Sequence, residues 1–231
     1  SLKLQNATFK YDDDASVRDS SRFDAKHMYS NNINASFNNA SFIKDTIKAR
    51  IDQLTFSEQS GLSVKNLSAN LKVTTTESML SDLKLQTEQS LIQNKFGFVY
   101  TNFHSFWRFI SDVRLKANFN HSYLSSTDLA FFIPTIPNNK LNVNIDGEIN
   151  GSIDRLQFRN FIASTGSHTQ FKGSFGIKGL PVKENIFISM TNAGVQTDAY
   201  DLEQLIPGKG LQKKLEKKLV LISFSLCLKK R

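Results

Sequence analysis

The sequence predicts an all-β protein: an elongated antiparallel sheet, apolar on one face and polar on the other, curled into an open hydrophobic groove with short interrupting helices. Three observations predict it. Apolar and polar residues alternate strictly along most of the chain, the period of two that marks a half-buried strand. Turn-forming clusters break that alternation at short intervals, as expected of consecutive antiparallel strands. Helical signals are confined to a few short stretches that interrupt the strands.

The longest alternating stretch is residues 141–154. Leu141, Val143, Ile145, Gly147, Ile149, Gly151 and Ile153 share one face, and Asn142, Asn144, Asp146, Glu148, Asn150, Ser152 and Asp154 the other. At ~3.3 Å per residue it would span roughly 40 Å, so it reads as one long strand or two that continue one register. Its two glycines lie on the oily side, where a missing side chain permits a bend. Earlier in the chain Ile33, Ala35 and Phe37 alternate, then Ile47, Ala49 and Ile51, then Leu67, Ala69, Leu71 and Val73, followed by Leu83 and Leu85. Val113, Leu115, Ala117 and Phe119 form a further oily edge, and Phe171, Gly173, Phe175, Ile177 and Gly179 the last. The intervening wet positions are rich in Asn, Ser and Thr. Turns are expected at residues 11–14, 60–61, 137–139 and 179–181.

Two helices are expected. Residues 125–133 have Ser125 or Ser126 to cap, Asp128 in the first turn and Pro134 to stop; residues 198–206 end at Pro207. Asp128-Leu129…Ile133-Pro134 and Asp201-Leu202…Ile206-Pro207 match in register, 73 residues apart. They indicate an internal repeat, several strands closed by a short helix. Residues 100–112, with Phe103, Phe106, Trp107, Phe109 and Ile110, fit either an aromatic amphipathic helix or an aromatic cluster at a strand edge. The organisation is then a repeating β-groove over residues 1–208, in approximate units 1–134 and 135–208, and a different tail over residues 209–231.

The net charge of +8 is concentrated in that tail, which has eight basic residues and the single acid Glu216. Nucleic-acid binding would need cations spread along a groove or recognition helix, so that class is set aside. The apolar run of residues 219–228 is shorter than the ~18 residues of a membrane helix. The tail reads as a basic membrane-surface or partner-binding segment, or as an ordinary strand at a truncated or frame-disturbed end; the latter is the reading adopted. Cys227 is the only cysteine, so there is no disulfide framework and no Cys-based zinc site.

No constellation points to catalysis, a metal or a cofactor. His27, His104, His121 and His168 share no ligand spacing and read as surface strand residues. Gly208-Lys209-Gly210 lacks the spacing of a phosphate loop, and Asp12-Asp13-Asp14 lacks the glycine and alternation of a calcium loop. Asn-x-Ser/Thr sequons at Asn6, Asn34, Asn39, Asn66, Asn120 and Asn150 fit an Asn-rich wet face better than glycosylation. The chain is therefore expected not to be an enzyme.

What the oily face meets decides the function. A second sheet would make a conventional sandwich; a sheet that stays open could hold acyl chains at ~0.8 kcal/mol per buried methylene. The lining would comprise Leu67, Ala69, Leu71, Val73, Val113, Leu115, Ala117, Phe119, Leu141, Val143, Ile145, Ile149, Ile153, Phe171, Phe175 and Ile177. The excess of phenylalanine, 19 against one Trp and five Tyr, suits such a lining and equally a plain aromatic core.

Residues 23–73, 115–134 and 146–181 resemble the TamB and AsmA-like envelope proteins of Bacteroidetes. The likeness covers most of residues 23–207 and rests on sheet alternation, Gly147-x-Ile149-x-Gly151, Thr169-x-Phe171-x-Gly173, Gly179-Leu180-Pro181 and the twin Asp-Leu…Ile-Pro helices. The resemblance implies a taco-shaped sheet with a hydrophobic inside, from a longer chain anchored in the inner membrane and crossing the periplasm. It implies phospholipid movement to the outer membrane, support of outer-membrane protein assembly, and an Omp85-type partner. The sequence departs from that pattern after Phe224. Rival readings are an adhesive or structural β-repeat with a closed core, an outer-membrane barrel, and a carbohydrate-acting β-helix whose acids would include Asp146, Glu148 and Asp154.

Overall fold

The computed structural model describes residues 1–18, 23–24, 26–132, 141–198, 201 and 222–226. Its strands are β1 (Leu2–Asp12), β2 (His27–Ile43), β3 (Thr46–Glu58), β4 (Ser63–Val73), β5 (Glu77–Thr87), β6 (Leu91–Val99), β7 (Arg114–Ser125), β8 (Asn142–Ser152), β9 (Arg155–Thr165), β10 (Thr169–Lys178), β11 (Phe187–Thr197) and β12 (Ile222–Leu226). They form one twelve-stranded sheet in chain order, β1 at one edge and β12 at the other. Each strand pairs antiparallel with the next, and the sheet does not close. The architecture is the open, curled β-groove that the alternation predicts.

The curl has a local cause. Each odd-numbered strand carries one residue too many against its neighbours. Leu4 to Ala7 of β1 opposes Ala35 to Ile33, Ile51 to Leu54 of β3 opposes Ala69 to Leu67, and Ser81 to Leu83 of β5 opposes Lys95 to Asn94. Phe119 to Ser122 of β7 opposes Gly147 to Ile145, Phe158 to Phe161 of β9 opposes Phe175 to Gly173, and Thr191 to Gly194 of β11 opposes Ser174 to Lys172. Such bulges bend a strand and raise its twist. In five of these strands the extra residue is left-handed: Asn6 (φ 49°), Asp82 (48°), His121 (51°), Asn160 (47°) and Asn192 (50°). Asn, Asp and His are the non-glycine residues best suited to that conformation.

Side chains on the even strands satisfy the bulged backbone. Asn6 N–H donates to Asn34 Oδ1 (3.0 Å), His121 N–H to Asp146 Oδ1 (2.7 Å) and Asn160 N–H to Ser174 Oγ (3.3 Å). Beside them Asn70 Nδ2 donates to Asp82 Oδ2 (2.6 Å) and Asn94 Nδ2 to Asn118 Oδ1 (3.1 Å). The Asn, Asp and Ser richness of the wet face is thus in good part the hydrogen-bonding of a crease.

The apolar face is the inside of that crease. Phe171 and Phe175 lie four residues apart on β10, about 13 Å along a straight strand, yet their ring centroids are 5.3 Å apart. Phe158 stacks on Phe175 at 4.1 Å and meets Phe161 edge-on at 5.2 Å, from either side of the β9 bulge. Ala117, Phe119, Ile145 and Phe161 form the buried heart of this surface. Gly147 and Gly173 lie opposite bulges: a Cβ on Gly147 would sit 2.7 Å from Phe161 Cα, and one on Gly173 2.6 Å from Ala193 Cα.

The long stretch of residues 141–154 resolves into β8, which stops at Ser152, where Ser152 Oγ donates to Asp154 and the chain turns into β9. Gly147 (φ 124°) is at the crease as the alternation suggests; Gly151 is instead held by the β8–β9 turn, its added Cβ falling on Arg155 O. Residues 103–112 of the 100–112 stretch are helical: a 3-10 helix (Phe103–Arg108) with an Asn102 capping box runs into α1 (Phe109–Asp112). The helix expected from residue 125 is α2 (Ser126–Ala130), capped by Ser125 Oγ accepting from Thr127 N–H (3.2 Å). Most of the second expected helix, the turn at 137–139, and residues 209–221 and 227–231 of the tail lie outside the described residues; β12 within the tail pairs with β11.

Candidate functional site

The concave face carries apolar residues in continuous ranks across the strands. In one, each member faces the next by register: Ala49, Leu71, Leu80, Phe96, Ala117, Ile149, Phe158, Phe175 and Met190, from β3 to β11. On the other side of the crease Leu4, Ala35, Leu54, Leu67, Leu85 and Ile92 run from β1 to β6, and Ile145, Ala163, Phe171 and Val195 from β8 to β11. Ser122 of β7 separates the two halves. It is 1% exposed, and its hydroxyl accepts from Gln93 N–H (2.9 Å). A third, shorter rank comprises Ile47, Val73, Ser78, Phe98, Leu115 and Gly151. No member of these ranks is charged.

Along the first rank Leu71, Leu80, Phe96, Ile149, Phe158 and Phe175 are only half-buried, whereas the core of a closed sandwich would be nearly inaccessible. The lining therefore presents apolar surface to the open side. The ranks run from β1 to β11, so at ~4.8 Å per strand the lane is roughly 48 Å long.

Of the sixteen residues expected to line it, all but Val113, Leu141 and Ile153 lie within strands on this face. Val113 is 1% exposed and precedes β7, Leu141 precedes β8, and Ile153 sits in the β8–β9 turn. Sequence reading missed Phe96 and Phe98 of β6, Leu156, Phe158, Phe161 and Ala163 of β9, and Ile188, Met190, Ala193 and Val195 of β11. For β9 and β11 the signal was present in a changed form: a bulge makes the inward spacing three, as in Phe158–Phe161 and Met190–Ala193.

The two ends of the strands differ. At one end an acid closing each of β3, β7 and β11 reaches the preceding hairpin. Glu58 accepts from Tyr29 N–H (3.3 Å) and Ser60 N–H (2.7 Å). Asp128 accepts from Thr87 Oγ in the β5–β6 turn. Asp201 accepts from the Ser167 (3.2 Å), His168 (2.7 Å) and Thr169 (2.8 Å) amides of the β9–β10 turn. The aspartates of the twin motif thus do the same work four strands apart. The amide donors, His168 N–H foremost, hold the Asp201 carboxyl below its ordinary pKa. At this end Phe23, in the β1–β2 connection, donates its N–H to Phe131 O (3.0 Å) and packs its ring on Phe132 (5.4 Å).

At the opposite end the aromatic helix leans on the lining: Phe106 and Phe109 contact Phe98 at 6.2 and 5.5 Å, and Tyr100 meets Phe106 at 4.9 Å.

The three acids of residues 146–154 have structural partners. Asp146 accepts the His121 bulge amide, Glu148 faces Arg159 in register, and Asp154 pairs with Arg155 at 3.4 Å. His168 Nδ1 lies 2.6 Å from Asp198, with Asp201 nearby, but Asp201 already accepts three amides and the Thr169 hydroxyl (3.1 Å). His27 corrects the expectation of a surface histidine: it is 4% exposed, with Nδ1 2.8 Å from Asp24 and Nε2 3.1 Å from Asp13 O, and it fastens the β1–β2 connection. The other three histidines are exposed. No family model matches this chain, and no curated protein or solved structure does either.

Proposed function

We propose that this chain is a segment of an envelope-spanning protein of the TamB and AsmA-like kind, whose apolar groove carries phospholipid acyl chains between the inner and outer membrane and so supports outer-membrane biogenesis. The observation that carries the reading is the uncharged rank from Ala49 to Met190, uninterrupted across nine strands and half-open along its length. An acyl chain of about fourteen methylenes gains roughly 11 kcal/mol on leaving water for such a lining, close to what a bilayer gives it. Movement from bilayer to groove is then nearly isoenergetic, as a conduit requires. The lane is also about three times the ~15 Å depth of one leaflet, too long for a pocket fitted to one chain.

On this reading the protein is no enzyme and needs no cofactor; its partners are phospholipid, the remainder of its own chain, and an assembly protein in the outer membrane. The test is lipid extraction and native mass spectrometry of protein purified from membranes. Co-purifying phospholipid, lost on Ile145→Lys or Ile149→Lys in folded protein, is expected. Lipid-free protein, with envelope function intact in those variants, would refute the proposal.

A further inference from the structure

Exposed apolar side chains gather at one end of the strands, in every second connection there. The β2–β3 hairpin carries Phe42 near the end of β2, the β6–β7 connection presents Phe103, Trp107 and Ile110, and the β10–β11 connection presents Val182 and Ile186 and runs into Phe187 at the start of β11, all exposed, Trp107 at 84%. The connections between them expose no large apolar side chain: the β4–β5 turn is Thr74–Glu77, and in the β8–β9 turn Ser152 and Asp154 flank a half-buried Ile153. Four strands separate successive tips, about 19 Å, so the tips form a row of roughly 40 Å. Large exposed apolar side chains repeated along one edge in this way mark a docking surface.

A second observation says what covers it. Immediately behind the tips, on the convex face, stand Lys48, Lys72, Arg114, Arg155 and Lys178, all exposed. Lys48 is directly opposite Lys72 across β3–β4, and Arg155 opposite Lys178 across β9–β10. Like charges facing each other across a ladder destabilise a sheet. Glu77 relieves Lys72 (2.7 Å) and Asp154 relieves Arg155 (3.4 Å), while Lys48 and Lys178 have no ion-pair partner among the described residues. Aromatic tips backed by a basic rung match the chemical layering of an anionic bilayer surface, acyl region under phosphate.

We propose that this lip docks on an anionic phospholipid surface, the tips entering the headgroup layer and the rung pairing with phosphates. Docking does not require the groove to carry lipid. If it does, the lip sets the side from which chains enter, because Phe106 and Phe109 join the tips to the lining at Phe98.

Trp107 is the only tryptophan, so its emission reports this surface alone. With the full chain, vesicles of phosphatidylcholine containing phosphatidylglycerol are expected to shift that emission to shorter wavelength, and lipids brominated high on the acyl chain to quench it. Raised salt should reverse the shift. Lys48→Gln with Lys178→Gln should weaken partitioning by roughly 25-fold, about five-fold per cation, and Phe103→Ser should weaken it independently, both with wild-type circular dichroism and thermal midpoint. Three outcomes overturn the proposal: no shift; a shift that follows protein concentration without vesicles, which assigns the lip to a second copy; or full partitioning in the Lys48/Lys178 variant, which places docking elsewhere. Lipid extraction reads the groove separately, so either idea can fail alone.

Discussion

Asn160 shows how single residues set the shape. Its left-handed backbone (φ 47°) lets β9 carry an extra residue, and its amide is satisfied by Ser174. A β-branched residue there keeps the bulge only with strain of about 1–2 kcal/mol, while glycine adopts the angle freely. Asn160→Val is therefore expected to lower the urea midpoint by that free energy divided by the slope, with the slope itself unchanged, and Asn160→Gly to leave the midpoint nearly unchanged. Equal midpoints for Val and Gly would mean the bulge is not held by this conformation. Asp201 makes a second prediction. Because amide donors depress its folded pKa, its stabilising contribution is complete above the ordinary carboxylate value of about 3.9 and is lost as pH falls through the lower, folded value. The amide resonances of His168 and Thr169 should stay native-like below pH ~3.9 and change at the depressed value. Asp201→Asn should abolish that step while leaving other acid transitions in place.

At the scale of elements, a crease needs both a bulged strand and a neighbour that leaves it room. Gly147 supplies the room beside β9, where an added Cβ would meet the Phe161 and Asn160 backbone and where φ is 124°. Gly147→Val is expected to cost roughly 1–3 kcal/mol from crowding alone, with backbone strain added, and to lower the thermal midpoint sharply. A variant as stable as wild type would place the bend elsewhere. The helix α2 tests a smaller device: Ser125→Ala removes its cap and should cost about 0.5–2 kcal/mol, read as a lower urea midpoint. These elements also show what could be read from the sequence. Strands and polarity were readable wherever alternation ran unbroken, as over Leu115, Ala117 and Phe119. They were lost at β9 and β11, because a bulge shifts the period by one and its position is fixed by pairing between strands. Residues 141–154 alternate straight through the β8–β9 turn, so the period overran the strand. The twin Asp-Leu motif was visible, but its partners, the Thr87 hydroxyl and the amides of residues 167–169, lie 32 to 41 residues upstream, beyond any local pattern.

For the whole molecule the decisive property is continuity. Leu71 on β4 and Phe175 on β10 belong to the same rank, six strands and about 29 Å apart. Both are half-buried, so a carboxylate at either can reach solvent without emptying the core. A conduit works in series: one charged break anywhere stops passage, since an acyl chain crossing it must desolvate the carboxylate at a cost of several kcal/mol. A store works in parallel, and each break removes only the local share of bound lipid. Leu71→Asp, Phe175→Asp and the double variant therefore separate the two. In vesicle-to-vesicle phospholipid transfer by the intact protein, each single variant is expected to fall to near background and the double variant no further. Bound phospholipid per chain should fall only in part for each single variant and additively for both. If transfer instead declined in proportion to bound lipid, with the double variant equal to the product of the singles, the groove would be a reservoir and the continuity of its lining incidental.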